Sequence, residues 1–301
     1  IFAWPIGKDA PDLNELDAFI RENIPHGPSY GDRRNRFVTA LDIETFKKAD
    51  DDLDALIVTD WRYRKRRVDA VRQLCSLGNH FISLERSENT GEIYLIVHTG
   101  SRQFGKTICQ TFQKMAKNAH STGCPSGLEY LAPQDEGFEG YLKFMDLGIE
   151  FARRNKEIIA SEIMAFLGCE EKPGAIKTNH NYYDRMERTI RKGSVSAQKG
   201  ETFLCPVNMR DGTFICVGKG NADWNCSAPH GAGRLMSRRE AKATLDLDVV
   251  KESLGDLFTT TIATSIDEAP AVYKSFEFIR ENITPTADIV DHLKPIYNFK
   301  G

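Results

Sequence analysis

The chain has 301 residues, of which 41% are hydrophobic and 28% are charged. This composition is typical of a folded globular protein, and the length allows one large domain or two ordinary ones. No apolar run approaches the roughly 18 residues that a membrane-spanning helix needs, so we expect no membrane partner. The net charge of −3 excludes a protein that binds polyanions through its overall field, so any contact with nucleic acid must come from a local patch.

The seven cysteines are scattered and include no C-x-x-C pair. An odd, unpatterned set of this kind indicates reduced thiols in a cytoplasmic protein. The chain begins with the apolar run IFAWPIG and has no initial methionine. Since such a run is typical of a buried strand and not of a chain end, we expect the sequence to be truncated at its N-terminus.

Helical periodicity appears in several segments. Apolar residues at helical spacing predict a helix over 12–23, and a longer one over 143–167 that Gly168 closes. Residues 45–60 and 61–75 predict two exposed helices, the second of which opens on the run WRYRKRR (61–67). A solvated basic helix face is the ordinary explanation of that run, and a contact with an RNA backbone is the alternative.

Strand patterns occupy the middle of the chain. Residues 79–85 and 92–102 predict a hairpin connected by RSENTG, and the β-rich segment 189–220 contains a second hairpin turn at Asp211-Gly212. Ser237 and Glu240 have the spacing of a capping box that opens a helix. Because no repeat or linker divides the chain, we predict one α+β domain over 1–301, with a β-rich core that carries the functional histidines and helices around it.

Four of the seven histidines stand where β-rich runs begin or end, beside Asn or Gly: His80, His98, His180 and His230. Strand ends and turns are where a rigid scaffold presents catalytic groups, and imidazole is the commonest metal-binding side chain. No H-x-H or H-x-x-x-H spacing is present, so spacing alone leaves open whether the four share a site. The other three, His26, His120 and His292, have no converging neighbours and are expected to be structural.

His230 lies on the turn PHGAG just before a predicted helix. A glycine-rich loop that enters a helix offers backbone N–H groups to an anion, and Arg234 adds a guanidinium suited to phosphate. A histidine beside a phosphate is either a hydrogen-bond donor or a nucleophile. The residues alone leave both roles open.

Taken together, these motifs resemble those of the RtcB family of GTP-dependent RNA ligases, from about residue 12 to the last residue. The motifs, in the order of the family, are GNHFI (78–82), HTGSRQFG (98–105), NHNY (179–182), RKGSVSA (191–197), VGKGN (217–221), SAPHGAGRLMSR (227–238), DEAPAVYK (267–274) and the C-terminal KG (300–301).

The resemblance implies a role for each matching position. His230 would be the nucleophile that becomes guanylylated by GTP, and His80, His98 and His180 would hold Mn²⁺. The remaining matches imply contacts with the nucleotide from Asn79, Phe81, Ser83, Asn181, Pro206, Val207, Asn208, Met209, Thr213, Gly231, Ala232, Gly233, Arg234, Tyr273 and Lys300.

The implied reaction joins an RNA 3′-phosphate or 2′,3′-cyclic phosphate end to a 5′-hydroxyl end, in tRNA splicing or RNA repair. The expected partners are GTP and the ends of tRNA or damaged RNA. The sequence leaves open which RNA is joined and whether a protein activator takes part.

The chain departs from the family pattern at three places. It lacks the D-x-x-C-G motif whose Asp and Cys complete a site for two Mn²⁺ ions; the similar letters of Asp223 to Cys226 precede His230 and are taken as chance. Ser83 stands where the family has Glu, with Glu85 on the same strand face. Val207 stands where the family has a glycine that allows close backbone approach.

These departures keep two other functions open. One is an inactive homologue that binds RNA ends or nucleotide. The other is a metal-dependent phosphoesterase that uses the three histidines without guanylylation.

Overall fold

The computed structural model describes residues 1–29, 35–56, 68–120 and 124–301. They form two compact units, one of residues 1–23, 79–98 and 160–301 and the other of residues 24–78 and 99–159. The mixture of helices with an extensive antiparallel sheet confirms the predicted α+β class. A single domain over 1–301 stays a prediction.

A seven-stranded antiparallel sheet forms the core of the first unit. In spatial order its strands are β4 (Ile176–Lys177), β1 (Phe2–Gly7), β3 (Ile93–His98), β2 (Phe81–Ser87), β11 (Ala287–Lys300), β9 (Gly212–Gly218) and β8 (Thr202–Asn208). The two outermost strands approach each other, because the backbone N–H of Leu204 in β8 donates to Oγ1 of Thr178, directly after β4, over 2.9 Å. The sheet therefore nearly closes on itself.

Two short two-stranded sheets follow in the same unit. One pairs β5 (Asn181–Asp184) with β6 (Thr189–Lys192), and the other pairs β7 (Ser194–Ser196) with β10 (Ser227–Pro229). They matter for function because His180 directly precedes β5 and His230 directly follows β10.

Seven α-helices are described, four in the first unit and three mainly in the second. The first unit contains α1 (Leu13–Asn23), α5 (Arg238–Thr244), α6 (Leu247–Ser253) and α7 (Phe276–Asn282), and the second contains α2 (Ala40–Leu56), α3 (Arg102–Ala119) and most of α4 (Phe138–Phe166). No helix within the described ranges is long and apolar enough to cross a membrane. All seven cysteines carry free thiols.

Most elements predicted from periodicity are confirmed. Helix α1 begins after Asp12, whose carboxylate accepts the N–H groups of Asn14 and Glu15. Helix α4 ends before Gly168, which has a φ of +66°. Both predicted hairpins form, as β2–β3 and β8–β9, and the hydroxyl of Ser237 accepts the N–H of Glu240 at the start of α5.

The predicted exposed helix over 61–75 is wrong where the structure describes it. Residues 68–75 contain only a short 3₁₀ turn, Val71–Gln73, and half of their side chains are buried. Tertiary hydrogen bonds replace helical ones here: the N–H of Ala70 donates to the buried carboxylate of Asp50 over 2.6 Å. The run WRYRKRR (61–67) lies outside the described residues.

Several boundaries differ from the sequence predictions: the helix predicted over 143–167 begins at Phe138, and the strand predicted over 79–85 spans Phe81–Ser87. The first helix of the second unit begins at residue 40 and not 45, and the strand predicted over 92–102 ends at His98. Helix α3, which begins at Arg102, was not predicted. The sequence before it is a β-rich run that ends in a Gly-Ser turn, and this pattern does not signal a helix.

The close approach of β9 to β11 gives a testable constraint. Gly212 has a φ of +76°, and a Cβ there would lie 2.0 Å from the carbonyl oxygen of Leu293. Gly200 has a similar φ of +82° with no atom within 4 Å of that position. We expect Gly212→Ala to destabilise the protein by about 1–3 kcal/mol more than Gly200→Ala, since only the first adds a backbone clash to the strain of a left-handed residue. Urea unfolding of both variants measures the difference, and equal losses would contradict it.

Candidate active site

The four histidines at strand ends lie in one continuous row. The ring centres of His80 and His98 are 5.3 Å apart, those of His98 and His180 are 5.6 Å apart, and those of His180 and His230 are 5.0 Å apart. All four belong to the first unit. The structure thus brings together residues that are 150 positions apart in the sequence.

Strand pairing explains this convergence. In the β2–β3 hairpin Phe81 lies opposite His98, so the residue before β2 and the last residue of β3 are neighbours. His180 is fixed at the base of the β5–β6 hairpin, where its carbonyl accepts the N–H of Gly193 over 3.1 Å. The β7–β10 pair then leads directly to His230.

Burial favours the neutral form of two of these rings. The pKa of His98 lies well below its usual value because burial disfavours the imidazolium, and the charges of His80, His180 and Lys300 lower it further. Burial also lowers the pKa of His230, although a hydrogen bond to the backbone of Gly193 opposes this. Neutral imidazole is the form that ligates metals and attacks electrophiles.

The spacing of His80, His98 and His180 is compatible with metal binding. Two imidazoles that share an ion at a metal–nitrogen distance of about 2.1 Å have ring centres roughly 5 Å apart. Within residues 1–29, 35–56, 68–120 and 124–301, however, no group of three or more His, Cys, Asp or Glu side chains is arranged to hold an ion. The imidazoles fit a metal in ring spacing, and His98 also in protonation, without forming a complete ligand set.

The turn that carries His230 is fixed by backbone contacts. The N–H of Ala232 donates to the carbonyl of Pro206 over 3.1 Å. A Cβ at Gly231 would lie 3.0 Å from that same carbonyl oxygen, and Gly233 has a φ of +73°. The left-handed backbone at Gly233 therefore favours glycine, and a side chain at Gly231 would crowd the Pro206 carbonyl in the turn that holds the imidazole beside the 206–209 segment.

A second cluster in the same unit consists of charged residues around the buried carboxylate of Glu268. Glu268 forms ion pairs with Lys300 at 3.2 Å, with Arg238 at 2.5 Å and with Arg234 at 3.6 Å, and it accepts a short hydrogen bond from the Tyr273 hydroxyl. Burial raises the pKa of Glu268, but Lys300, Tyr273 and Arg238 together lower it below its usual value. Glu268 is thus ionised and compensates the surrounding cations.

Lys300 connects this cluster to the histidine row. It lies opposite Phe81 in the β11–β2 pairing, with its Nζ 5.9 Å from the centre of that ring. The Phe81 ring in turn contacts His98 edge-on at 5.2 Å, and the N–H of Gly301 donates to the carbonyl of His80 over 2.9 Å. The C-terminal residues are therefore part of the site.

Arg234 is engaged within the protein. Its Nε donates to the carbonyl of Met236 over 3.2 Å, its Nη2 donates to the carbonyl of Asp267 over 2.7 Å, and its guanidinium lies 5.5 Å from the centre of the Tyr273 ring. In this conformation Arg234 holds the glycine turn against residues 267–273. Binding of phosphate would require some of these hydrogen bonds to be exchanged.

Comparison with known proteins decides the family. The family model described as tRNA-splicing ligase RtcB matches residues 14–301. The chain belongs to the RtcB family.

Individual relatives agree with this assignment. The RNA-splicing ligase RtcB of Escherichia coli is 28% identical over 248 residues, which cover 74% of this chain and 60% of the relative. The tRNA-splicing ligase RtcB of Aeropyrum pernix is 26% identical over 298 residues, covering 79% of this chain and 61% of the relative. The RtcB of Nanoarchaeum equitans is 24% identical over 350 residues, covering 96% and 70%. The matches to the first two span about three fifths of those relatives.

The valine that departs from the RtcB pattern is accommodated in the core. Val207 is 3% exposed and packs in an apolar cluster that includes Ala232. Met209 is buried as well, and the side chain of Asn208 accepts the N–H groups of Arg210 and Asp211. Segment 206–209 therefore lies against the turn of His230 through both the carbonyl and the ring of Pro206.

The serine that departs from the RtcB pattern lies in a buried polar cluster. Ser83 and Thr213 are 0% and 1% exposed, and Asn298, opposite Ser83 on β11, is also buried. The Ser83 hydroxyl donates to Oε1 of Glu85 over 2.7 Å. Burial raises the pKa of Glu85 to about 7, although hydrogen bonds from Ser83 and Thr213 oppose the shift. A nucleotide contact from Ser83 or Thr213 stays a prediction.

Two further residues predicted to contact the nucleotide are the asparagines next to His80 and His180, and these contacts stay predictions. Asn79 and Asn181 are exposed beside His80 and His180. The three histidines expected to be structural all have partners: His26 a carbonyl, His120 the carboxylate of Asp135, and His292 the carbonyl of Asp211 and the carboxylate of Glu88.

Sequence reasoning missed three residues that shape the site. Glu268 and Arg238 lie inside recognised motifs, but nothing in the letters distinguishes a buried charge hub from an exposed pair. Gly193 has a φ of +69°, and a Cβ there would lie 3.5 Å from the His230 ring. Only its position after a β-rich run could have signalled a turn.

The raised pKa of Glu85 predicts a pH-dependent stability. Between its ordinary pKa of 4.5 and about 7 the folded state holds a proton that the unfolded state has lost, so stability falls as the pH rises through this window. The side chain in Glu85→Gln does not titrate. We therefore expect the free energy of unfolding of this variant, relative to that of the wild type, to rise by up to about 3 kcal/mol from pH 5 to pH 8. Urea unfolding at both pH values tests this. Glu281→Gln, at an exposed carboxylate, is the control, and an advantage that does not change with pH would contradict the prediction.

The ion pairs between Glu268 and three cationic side chains predict a second effect on stability. Glu268→Gln removes the counter-charge of Lys300, whose side chain is 10% exposed, and of two arginines. Leaving a buried cation unpaired costs about 3–5 kcal/mol, so we expect a loss of this size in urea unfolding at pH 7. Asp248→Asn, which removes an exposed carboxylate paired with Lys251 at 3.4 Å, should leave the unfolding midpoint unchanged. Equal effects of the two substitutions would refute the role of Glu268.

Proposed function

We propose that this chain is the catalytic part of a GTP-dependent RNA ligase that joins RNA 3′-phosphate or 2′,3′-cyclic phosphate ends to 5′-hydroxyl ends, in tRNA splicing or RNA repair. The observation that carries the proposal is the setting of His230. Its imidazole has a lowered pKa, lies on a turn that contains Gly231 and the left-handed Gly233, and stands at the end of a row of three other imidazoles. The names of the family and its relatives, which refer to RNA or tRNA splicing, support the RNA substrate.

In the first step a ring nitrogen of His230 attacks the α-phosphorus of GTP. A P–N bond forms, the bond to the β-phosphate oxygen breaks, and pyrophosphate leaves. The hydrogen bond to Gly193 holds one side of the ring and orients the other nitrogen for attack. The lowered pKa keeps the ring unprotonated, and therefore nucleophilic, at neutral pH.

Metal ions have a defined place in this proposal. His80, His98 and His180 would hold Mn²⁺, and a second ion would need the Asp and Cys of the D-x-x-C-G motif. When bound, the metal supplies positive charge that neutralises the triphosphate.

The other end of the site suits the nucleoside. Lys300, Phe81 and Tyr273 combine a buried amine, an aromatic ring and a phenol beside the histidine row. These groups offer a hydrogen-bond donor and apolar surface for a base. The exposed amides of Asn79 and Asn181 flank the same row.

The later steps regenerate the histidine. The 3′-phosphate of the first RNA end, which is released from any cyclic form by hydrolysis, attacks the guanylyl phosphorus and the P–N bond breaks. The 5′-hydroxyl of the second RNA then attacks the activated 3′-phosphate, a phosphodiester forms and GMP leaves. His230 takes part only as the temporary carrier of GMP.

Intact-mass spectrometry after incubation with GTP and Mn²⁺ tests this function. Two forms are measured: residues 1–301, and the same residues with a D-x-x-C-G segment added at the N-terminus. His230→Ala is the test variant, and His120→Ala is the matched control. We expect an acid-labile GMP adduct that His230→Ala abolishes and His120→Ala retains, because His120 pairs with Asp135 outside the histidine row.

The outcomes separate the alternatives. No adduct on either form would refute the ligase function. Retained binding of RNA ends would then identify a binding homologue, and hydrolysis of a 2′,3′-cyclic phosphate without joining would identify a phosphoesterase.

A further inference from the structure

The β5–β6 hairpin begins directly after His180, a member of the histidine row, and has two distinct faces. Its register places Tyr182 opposite Arg191 and Tyr183 opposite Ile190. Because successive side chains of a strand alternate, Tyr182 and Arg191 share one face with Asp184, and Tyr183 and Ile190 share the other with Lys192. We call these the inner and outer faces.

The inner face fixes the hairpin to the strand that leads to His230. Arg191 is 1% exposed, and its Nη1 lies 2.8 Å from the carboxylate of Asp184. Its Nε donates to the hydroxyl of Ser227 in β10 over 3.2 Å, and its guanidinium lies 5.7 Å from the Tyr182 ring centre. A partly buried ion pair and a hydrogen bond to Ser227 hold the hairpin against β10.

The outer face combines apolar and basic side chains in solvent. Ile190 is 78% exposed, Lys192 is exposed and Tyr183 is half-buried. The exposed tip adds two basic residues, Arg185 and Arg188, and one acidic residue, Glu187. The chain as a whole carries −3, so this concentration of positive charge is local.

This chemistry is suited to single-stranded nucleic acid. Proteins bind unpaired nucleotides by stacking bases on aromatic side chains and by placing amines or guanidinium groups near the phosphates. Tyr183 is three residues from His180, a distance of about 10 Å along a strand. The outer face therefore begins within one or two nucleotides of the histidine row.

We propose that the outer face of the hairpin, formed by Tyr183, Ile190 and Lys192, binds the last nucleotides of the RNA strand whose 3′-phosphate reacts at His230. A base packs on Tyr183 and Ile190, and a backbone phosphate lies near Lys192. The inference rests on the proposed function, from which it takes its substrate. The rigid inner face keeps this platform in place before RNA arrives.

Fluorescence anisotropy with a labelled single-stranded RNA that ends in a 3′-phosphate tests the platform. We expect Tyr183→Ala to weaken binding at least about five-fold, since stacking of a base on an aromatic ring is lost, and Tyr183→Phe to retain it. Lys192→Ala should weaken binding and lower the slope of log Kd against log salt concentration by about 0.7. Lys251→Ala, at an exposed lysine on α6, is the matched control and should change neither quantity.

Sealing kinetics, expressed per guanylylated enzyme, give the second readout. Tyr183→Ala should raise the KM for the 3′-phosphate RNA more than it lowers kcat. Unchanged RNA affinity and salt slope in variants that retain the wild-type unfolding midpoint would overturn the proposal. So would a change of oligomeric state in Ile190→Ser with unaltered RNA binding, which would identify a protein contact. Because anisotropy does not require guanylylation, failure of the platform and failure of the ligase reaction are distinguishable.

Discussion

The position of strand β11 between β2 and β9 is the constraint on which the site depends. This single strand, the last fourteen residues before Gly301, is hydrogen-bonded on both edges and is the fifth of seven strands in the sheet. Its register sets Lys300 opposite Phe81, and so brings the C-terminus to the start of β2, beside His80. A slip of one residue would turn Lys300 to the opposite face of the sheet and separate it from Glu268.

The site couples two kinds of buried polarity. At one end four imidazoles contact one another, and burial lowers the pKa of His98 and of His230. At the other end, Glu268 compensates Lys300 and two arginines, so cations stay charged in a poorly hydrated environment. The two ends meet through Phe81, which contacts both His98 and Lys300.

The segments that present His180 and His230 are linked to each other as well as to the main sheet. Gly193 bonds both histidines through its backbone, and Arg191 joins the β5–β6 hairpin to β10. These contacts explain why the short motif RKGSVSA (191–197) lies beside the histidine row. Its Arg191 and Gly193 hold the segments that carry His180 and His230, and the other face of the same hairpin is exposed.

The sequence by itself determined the elements whose patterns are local. The spacing of apolar residues located α1 and α4, the turn residues located the two hairpins, and the motif order pointed to the RtcB family that the comparison confirmed. It could not locate β11, whose mixture of charged residues and a proline hides its central place, or the 3₁₀ turn at 71–73, where a buried Asp50 replaces helical hydrogen bonds. Nor could it show that Ser83 and Val207 are buried while Ile190 is exposed. Those facts depend on which side of a strand faces the interior, and only the pairing of distant strands decides that.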